Sequence, residues 1–262
     1  MRLATIRTAG GTAAVRVEGD RAVHLGEPDV GTLLRHPDWS ERAAADGPAT
    51  SADELDFAPV VPQPEKIICV GLNYRQHILE MGRELPEYPT LFAKFPPALI
   101  GAHDDIVLPA VSDAMDWEAE LAVIAGHGNT IAGYTVLNDV TARDWQYRTP
   151  QWLQGKTFAN TTPVGPYLVT GDPGAAELTC TVNGERMQSA STSDLVFGPA
   201  ELVAYIATIL PLTPGDIIAT GTPGGVGHAR EPAVRLGDGD VVTTRIAGLG
   251  ECRNRCRAEK PS

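Results

Sequence analysis

The chain has 262 residues, 21 of them Lys or Arg and 33 Asp or Glu, for a formal net charge of −12. That balance excludes a general nucleic-acid binder, whose phosphate contacts need a basic face, and a surface built to dock on anionic lipid. With 43% hydrophobic and 21% charged residues, the composition is that of a globular chain long enough to bury a core without disulfide staples.

In chain order, the opening MRLATIRTAGG is broken by Arg2, Arg7, Gly10 and Gly11 before any apolar stretch develops, so it does not read as an export signal. Residues 3–6, 13–17 and 22–25 are short β-like runs separated by Gly10-Gly11 and Gly19-Asp20, which predicts a small antiparallel meander. A short helix follows over residues 30–36. Residues 41–64, rich in Pro, Ala and scattered acids, read as a linker. Strands are expected at residues 66–70, 117–125, 131–137, 167–170, 178–182, 217–219 and 241–246, with the clearest helix at 199–210, opened by Pro199 and Glu201. The longest apolar run, residues 202–212, contains a proline and falls short of the ~20 residues of a membrane span. Cys69, Cys180, Cys252 and Cys256 are too sparse for a disulfide framework and are expected as reduced thiols in a cytoplasmic protein. The predicted class is α+β with a large, mainly β core.

Familiar nucleotide and hydrolase motifs fail. Gly155-Lys156-Thr157 lacks the glycine of a phosphate loop five positions earlier, where Pro150 stands, and neither G-x-S-x-G nor H-E-x-x-H occurs. What remains is a set of carboxylates. Glu118 and Glu120 stand at i and i+2, on one face of a strand that turns apolar immediately afterwards. Asp139 follows another apolar strand, and three carboxylates with water suit a hard ion such as Mg²⁺ or Mn²⁺. The same E-x-E spacing also describes two solvated glutamates on an edge strand. His77 and Glu80, at i and i+3, would sit side by side on a helical turn, where a carboxylate raises imidazole basicity; an ordinary surface turn has the same spacing. Arg75, Lys94, Arg143 and Lys156 lie near these motifs. They would hold an anionic substrate if they converge and are ordinary surface bases if they do not.

The ordered segments GLNYRQHILEMG, LFAKF, DWEAELAVIAG, GYTVLNDVTARDWQ, QWLQGKTF, PVGPYLVT, VNGERMQ, LTPGDIIATGTPGGVG and VVTTRIAGLG resemble the fumarylacetoacetate hydrolase superfamily. The likeness is to its shorter bacterial members, the acylpyruvases and 2-hydroxyhepta-2,4-diene-1,7-dioate isomerases. The resemblance implies a mixed β-rich roll over residues 64–262, preceded by a small N-terminal β-meander domain over residues 1–60. It implies a divalent metal on Glu118, Glu120 and Asp139, and a His77–Glu80 dyad on a short lid helix. Lys156 would share the catalysis, and Arg143, Gln146 and Thr222 would bind substrate; Arg75 and Lys94 are added to the substrate set from the clustering of cations near the motifs. Two departures stand out: Val70 replaces the aspartate that fumarylacetoacetate hydrolases proper carry seven residues before the histidine, and Ala159 replaces the aspartate of G-K-S-x-D.

The implied reaction is metal-dependent hydrolysis of a C–C bond in a small 1,3-dioxo acid such as an acylpyruvate, in a homodimer. Decarboxylation of a β-keto acid, isomerisation of a 2-hydroxymuconate-type dienoate, ureidoglycolate-type lysis and ligand binding without catalysis are the alternatives. Gly82 and Pro86 end any helix that starts near Asn73, so residues 73–88 are expected to close over the site when a 2-oxo acid binds.

Overall fold

The computed structural model describes residues 1–53 and 55–260. The meander forms as its turn glycines require. Strands Arg2–Thr8, Gly11–Glu18 and Arg21–His24 pair antiparallel, with Thr8 opposite Gly11 and Glu18 opposite Arg21, so each hairpin loop is two residues long. Gly19 takes φ +60°, the left-handed conformation that such a tight loop needs and that glycine adopts without a Cβ penalty.

The meander does not stand apart. Its first strand pairs antiparallel with Thr162–Val169, so it extends a large sheet that continues through Ile131–Asn138, Ala119–Ala125, Ile217–Ala219, Ile67–Gly71 and Thr90–Lys94. The stretch expected as a linker is largely built into this layer. Trp39–Ala44 is helical, Ala49–Ser51 adds an edge strand against Arg21–Val23, and Phe57, Ala58, Val60 and Val61 are buried. Its prolines and alanines hide a stretch whose few apolar side chains nonetheless find the core.

A second sheet runs Glu185–Ser191, Glu177–Val182, Val241–Ile246, Gly250–Ala258 and Ile106–Leu108. The helix Pro199–Ala207 buries Leu202, Val203 and Ile206 and ends three residues before the expected boundary. The strand Gly250–Ala258 was not foreseen, because ECRNRCRA reads as charged. Its alternation nonetheless buries Cys252, Asn254 and Cys256 on one face. Residues four apart on a strand lie about 13 Å from each other, so Cys252 and Cys256 cannot pair, and all four thiols are free and buried. Among the described residues no helix is long and apolar enough to cross a membrane.

Strand parity positions the chemistry. Along Ala119–Ala125, Leu121 and Val123 pack with Leu178, Cys180 and Ile246 of the second sheet, while Ala122 and Ile124 pack with Leu33 and Leu34 of the helix Val30–Leu34. Glu120 shares the parity of Ala122 and Ile124. Leu137 lies opposite Glu120 across the ladder, and Asp139, two residues further on, shares its parity. The carboxylates therefore leave one face of the large sheet, at the end of its central strands.

Candidate active site

The strand expected from Trp117 begins at Ala119, because Glu118 N donates to the side chain of Asn138 rather than to a neighbouring strand. Asp139 N donates to Glu118 O, which fixes the two strand ends side by side. Oxygens of Glu118, Glu120 and Asp139 come within 4.8 Å of one another, and all three residues are buried. Asp116, two residues before Glu118, completes a D-x-E-x-E alternation. It accepts from the backbone N–H groups of Trp117, Gly227 and His228 and from Arg143 Nε at 2.8 Å.

Three buried cations answer these carboxylates. Lys156 Nζ lies 2.6 Å from Glu118 and 2.8 Å from Asp139. Lys94 Nζ lies 2.7 Å from Asp139, and Arg143 Nη1 lies 2.6 Å from Glu118. Burial works against the charge on Asp139, but Lys156 and Lys94 outweigh it and hold its carboxyl below the usual range. Burial likewise opposes the charges of Lys156 and Arg143, and the facing carboxylates overcome it and raise both. Glu120 differs. It accepts from Gly221 N at 2.7 Å and, among the described residues, forms no salt bridge, so burial first, then Asp139 and Glu118, outweigh the more distant Lys156 and push its carboxyl well above the usual range.

That imbalance is the test of a metal. Four buried carboxylates against three buried cations leave one negative charge in a dry site, and the deficit sits on Glu120. The oxygen spread is close to the ~4–5 Å that ligands at 2.0–2.6 Å from a single ion span. An all-carboxylate donor set favours a hard divalent cation over a soft one. The residues fit the group.

Above the floor lies a cleft of about 230 Å³, lined by Glu118, Arg143, Gln146, Lys156, His77 and Thr222 among others. Phe92, Trp152 and Val226 form apolar wall, and Leu72, held at φ +53°, also borders it. His77 sits on the short helix Arg75–Glu80, of which Ile78 alone is buried. Burial lowers the His77 pKa, and Glu80 and Glu118 restore only part of it, so the ring is neutral at pH 7.

Several expected residues fall elsewhere. Lys94 is 1% exposed, does not line the cleft and is paired with Asp139 at 2.7 Å. Arg75 is exposed and lines no part of the cleft. Glu80 accepts from Gln76 Nε2 at 3.0 Å and borders a separate small pocket, and among the described residues no hydrogen bond joins it to His77. Thr222 lines the cleft, and its Oγ1 donates to Ala119 O and accepts from Gln188 Nε2.

Sequence reading missed Asp116, although its parity with Glu118 and Glu120 was visible. It missed Gln188, whose amide reaches from the second sheet to Ala119 N, Thr222 and Pro223 O. Arg83, Tyr147 and His228, which border the cleft from loops and the ends of short helical segments, carried no periodic signal.

This fold and acidic centre match the family model described as fumarylacetoacetate (FAA) hydrolase C-terminal, over residues 66–257. The chain belongs to that family, whose members include hydrolases, isomerases and tautomerases. It is 42% identical over 227 residues to the mitochondrial oxaloacetate tautomerase Fahd2a of Rattus norvegicus, covering 81% of this chain and 72% of that one. A solved 5-carboxymethyl-2-hydroxymuconate delta-isomerase from Mycobacterium smegmatis superposes with a TM-score of 0.84 at 32% identity, covering 99% of this chain and 100% of that one. The fumarylacetoacetate hydrolase of Exiguobacterium antarcticum gives 0.88 at 30% identity, with the same coverage.

Proposed function

We propose that the protein moves a proton at the carbon beside the 2-oxo group of a small dicarboxylic 2-oxo acid, interconverting the keto and enol forms of an oxaloacetate-like substrate. The observation that carries this reading is a neutral, half-buried His77 bordering a small cleft whose floor holds Lys156 and Arg143. The rat tautomerase, 42% identical, favours this substrate class. A divalent cation, Mg²⁺ or Mn²⁺, on Glu118, Glu120 and Asp139 would supply Lewis acidity toward the 2-oxo oxygen.

The chain's own residues do the rest. Arg143 uses Nε on Asp116 and Nη1 on Glu118 and Gln146, leaving Nη2 outside those bonds as a donor for a substrate carboxylate. Lys156 uses two of its N–H donors on Glu118 and Asp139, so the third remains for an oxygen that gains negative charge. His77 takes the carbon-bound proton and returns it to the oxygen, or the reverse, so no atom is gained or lost. Phe92, Trp152 and Val226 limit water at the reacting carbon.

A second reading keeps the floor and changes the acceptor. His77 takes a proton from water, the water attacks a distal carbonyl, and a C–C bond of an acylpyruvate breaks. The likeness to the Exiguobacterium antarcticum hydrolase favours it. A side-by-side assay decides. Faster relaxation of enol absorbance in oxaloacetate, without CO₂ release and without loss of acetylpyruvate absorbance, is the expected result. Acetylpyruvate cleavage with uncatalysed oxaloacetate relaxation would replace the first reading with the second.

A further inference from the structure

Among the described residues, the lysines and arginines that line the cleft are Lys156, Arg143 and Arg83. Lys156 and Arg143 are each paired with two buried carboxylates. Arg83 is exposed, and among the described residues its side chain forms no salt bridge or hydrogen bond. The two histidines of the cleft add no charge at pH 7. Burial, then Arg143 and Arg235, lower the pKa of His228. Burial also lowers that of His77, and the positive charge of Arg83 adds to the effect, so the guanidinium stands within electrostatic reach of the ring.

Backbone bonds hold Arg83 to the element that carries His77. The helix Arg75–Glu80 closes at Met81, and Gly82 takes φ +68°, a conformation that favours glycine. Gly82 N donates to Leu79 O at 2.9 Å, and Arg83 N donates to Ile78 O at 3.2 Å. This pair of bonds around a left-handed glycine is the Schellman ending of a helix. It ties the Arg83 backbone to the turn next to His77, so the base and the cation belong to one unit. Charge then indicates the ligand. The buried floor carries one net negative charge; a divalent ion on Glu118, Glu120 and Asp139 would make it one positive, and Arg83 adds a second. A 2-oxo dicarboxylate brings two negative charges to the cleft, and a 2-oxo monocarboxylate brings one.

We propose that Arg83 is a specificity-determining residue of the cleft, receiving the carboxylate remote from the 2-oxo group and so selecting dicarboxylic over monocarboxylic acids. The assignment rests on the reading of the cleft as a 2-oxo acid site. Arg143 Nη2 is then left for the carboxylate beside the 2-oxo group. A planar guanidinium meets a carboxylate through two parallel N–H bonds, which selects for a second carboxylate as well as for charge. A methyl group in its place leaves those donors unanswered. Because Arg83 and His77 share one helix end, capture of the remote carboxylate also positions the base.

The test measures binding by titration calorimetry on the full chain with Mg²⁺ present, at about 0.15 M salt so that long-range charge effects are screened. The probes are malate and 2-hydroxybutanoate, four-carbon 2-hydroxy acids that differ in a terminal carboxylate against a methyl group. Neither carries the 2-oxo group, so neither reacts. The wild type should bind malate more tightly. Arg83→Gln should weaken malate about tenfold, the factor that one charge-assisted hydrogen bond carries, and leave 2-hydroxybutanoate unchanged. Arg75→Gln removes the same charge from the same helix at a position outside the cleft, and should keep the wild-type preference. Equal affinity of the wild type for the two acids, unchanged malate binding in Arg83→Gln, or the same loss in Arg75→Gln would overturn the assignment. Because no turnover is measured, a preference lost with Arg83 in a protein inactive on oxaloacetate would remove the proposed reaction and keep the assignment. Unaltered binding in Arg83→Gln with active tautomerisation would do the reverse.

Discussion

Lys94 Nζ lies 2.7 Å from Asp139 Oδ1, and both side chains are fully shielded from solvent. The pair is structural support for the acidic centre. Removing the cation leaves a buried carboxylate short of a partner, at a cost of about 3–5 kcal/mol. Lys94→Met should therefore lower Tm by roughly 6 °C or more in metal-free protein, a conversion set by the size of the chain. Calorimetry in EDTA measures it. An unchanged Tm would mean that Asp139 does not depend on Lys94.

Glu120 gives a pH signature. Its folded pKa is raised above the usual 4.5, so the native state binds more protons than the unfolded one from about pH 4.5 upward. The stability it contributes is present below that pH and is lost as pH rises through the folded value. Metal-free protein should melt at lower temperature as pH rises across this window, and Glu120→Gln should flatten the slope. Mn²⁺ at about a hundred times its Kd should add ~2.7 kcal/mol to the wild type and nothing comparable to the variant. Equal stabilisation of both would remove Glu120 from the ligand set.

For His77 the direction is opposite. Burial lowers its pKa below 6.5, so the neutral base persists to mildly acidic pH and kcat/KM should lose activity only below that value. His77→Asn should cost about 10²–10⁴ in turnover while Mn²⁺ still raises Tm. An acidic limb above pH 7, or lost metal stabilisation in the variant, would assign the histidine another role.

The helix Arg75–Glu80 is six residues long, and Leu79, Met81, Leu85 and Tyr88 around it are exposed. Helices this short are marginal alone. Amide exchange over residues 73–88 should slow when oxalate joins Mg²⁺. Equal protection in the two states would show that the segment is preformed and does not gate the cleft.

What the sequence determined by itself is what repeats locally. Alternation put Glu118 and Glu120 on one face, turn glycines closed the meander, and Pro199 opened its helix, because backbone period and turn chemistry act within a few residues. The ordered motifs carried the family. Tertiary structure decided the rest. Lys94 and Arg75 are both cations near a motif; one is 1% exposed beneath Asp139, and the other faces solvent. His77 and Glu80 share a helical turn, yet Glu80 is held by Gln76 beside a different pocket. Gln188 reaches Ala119 across 69 residues of chain, and Lys156 reaches Glu118 across 38. Such meetings depend on sheet register and on which face each strand buries, and these are fixed only when the whole core packs.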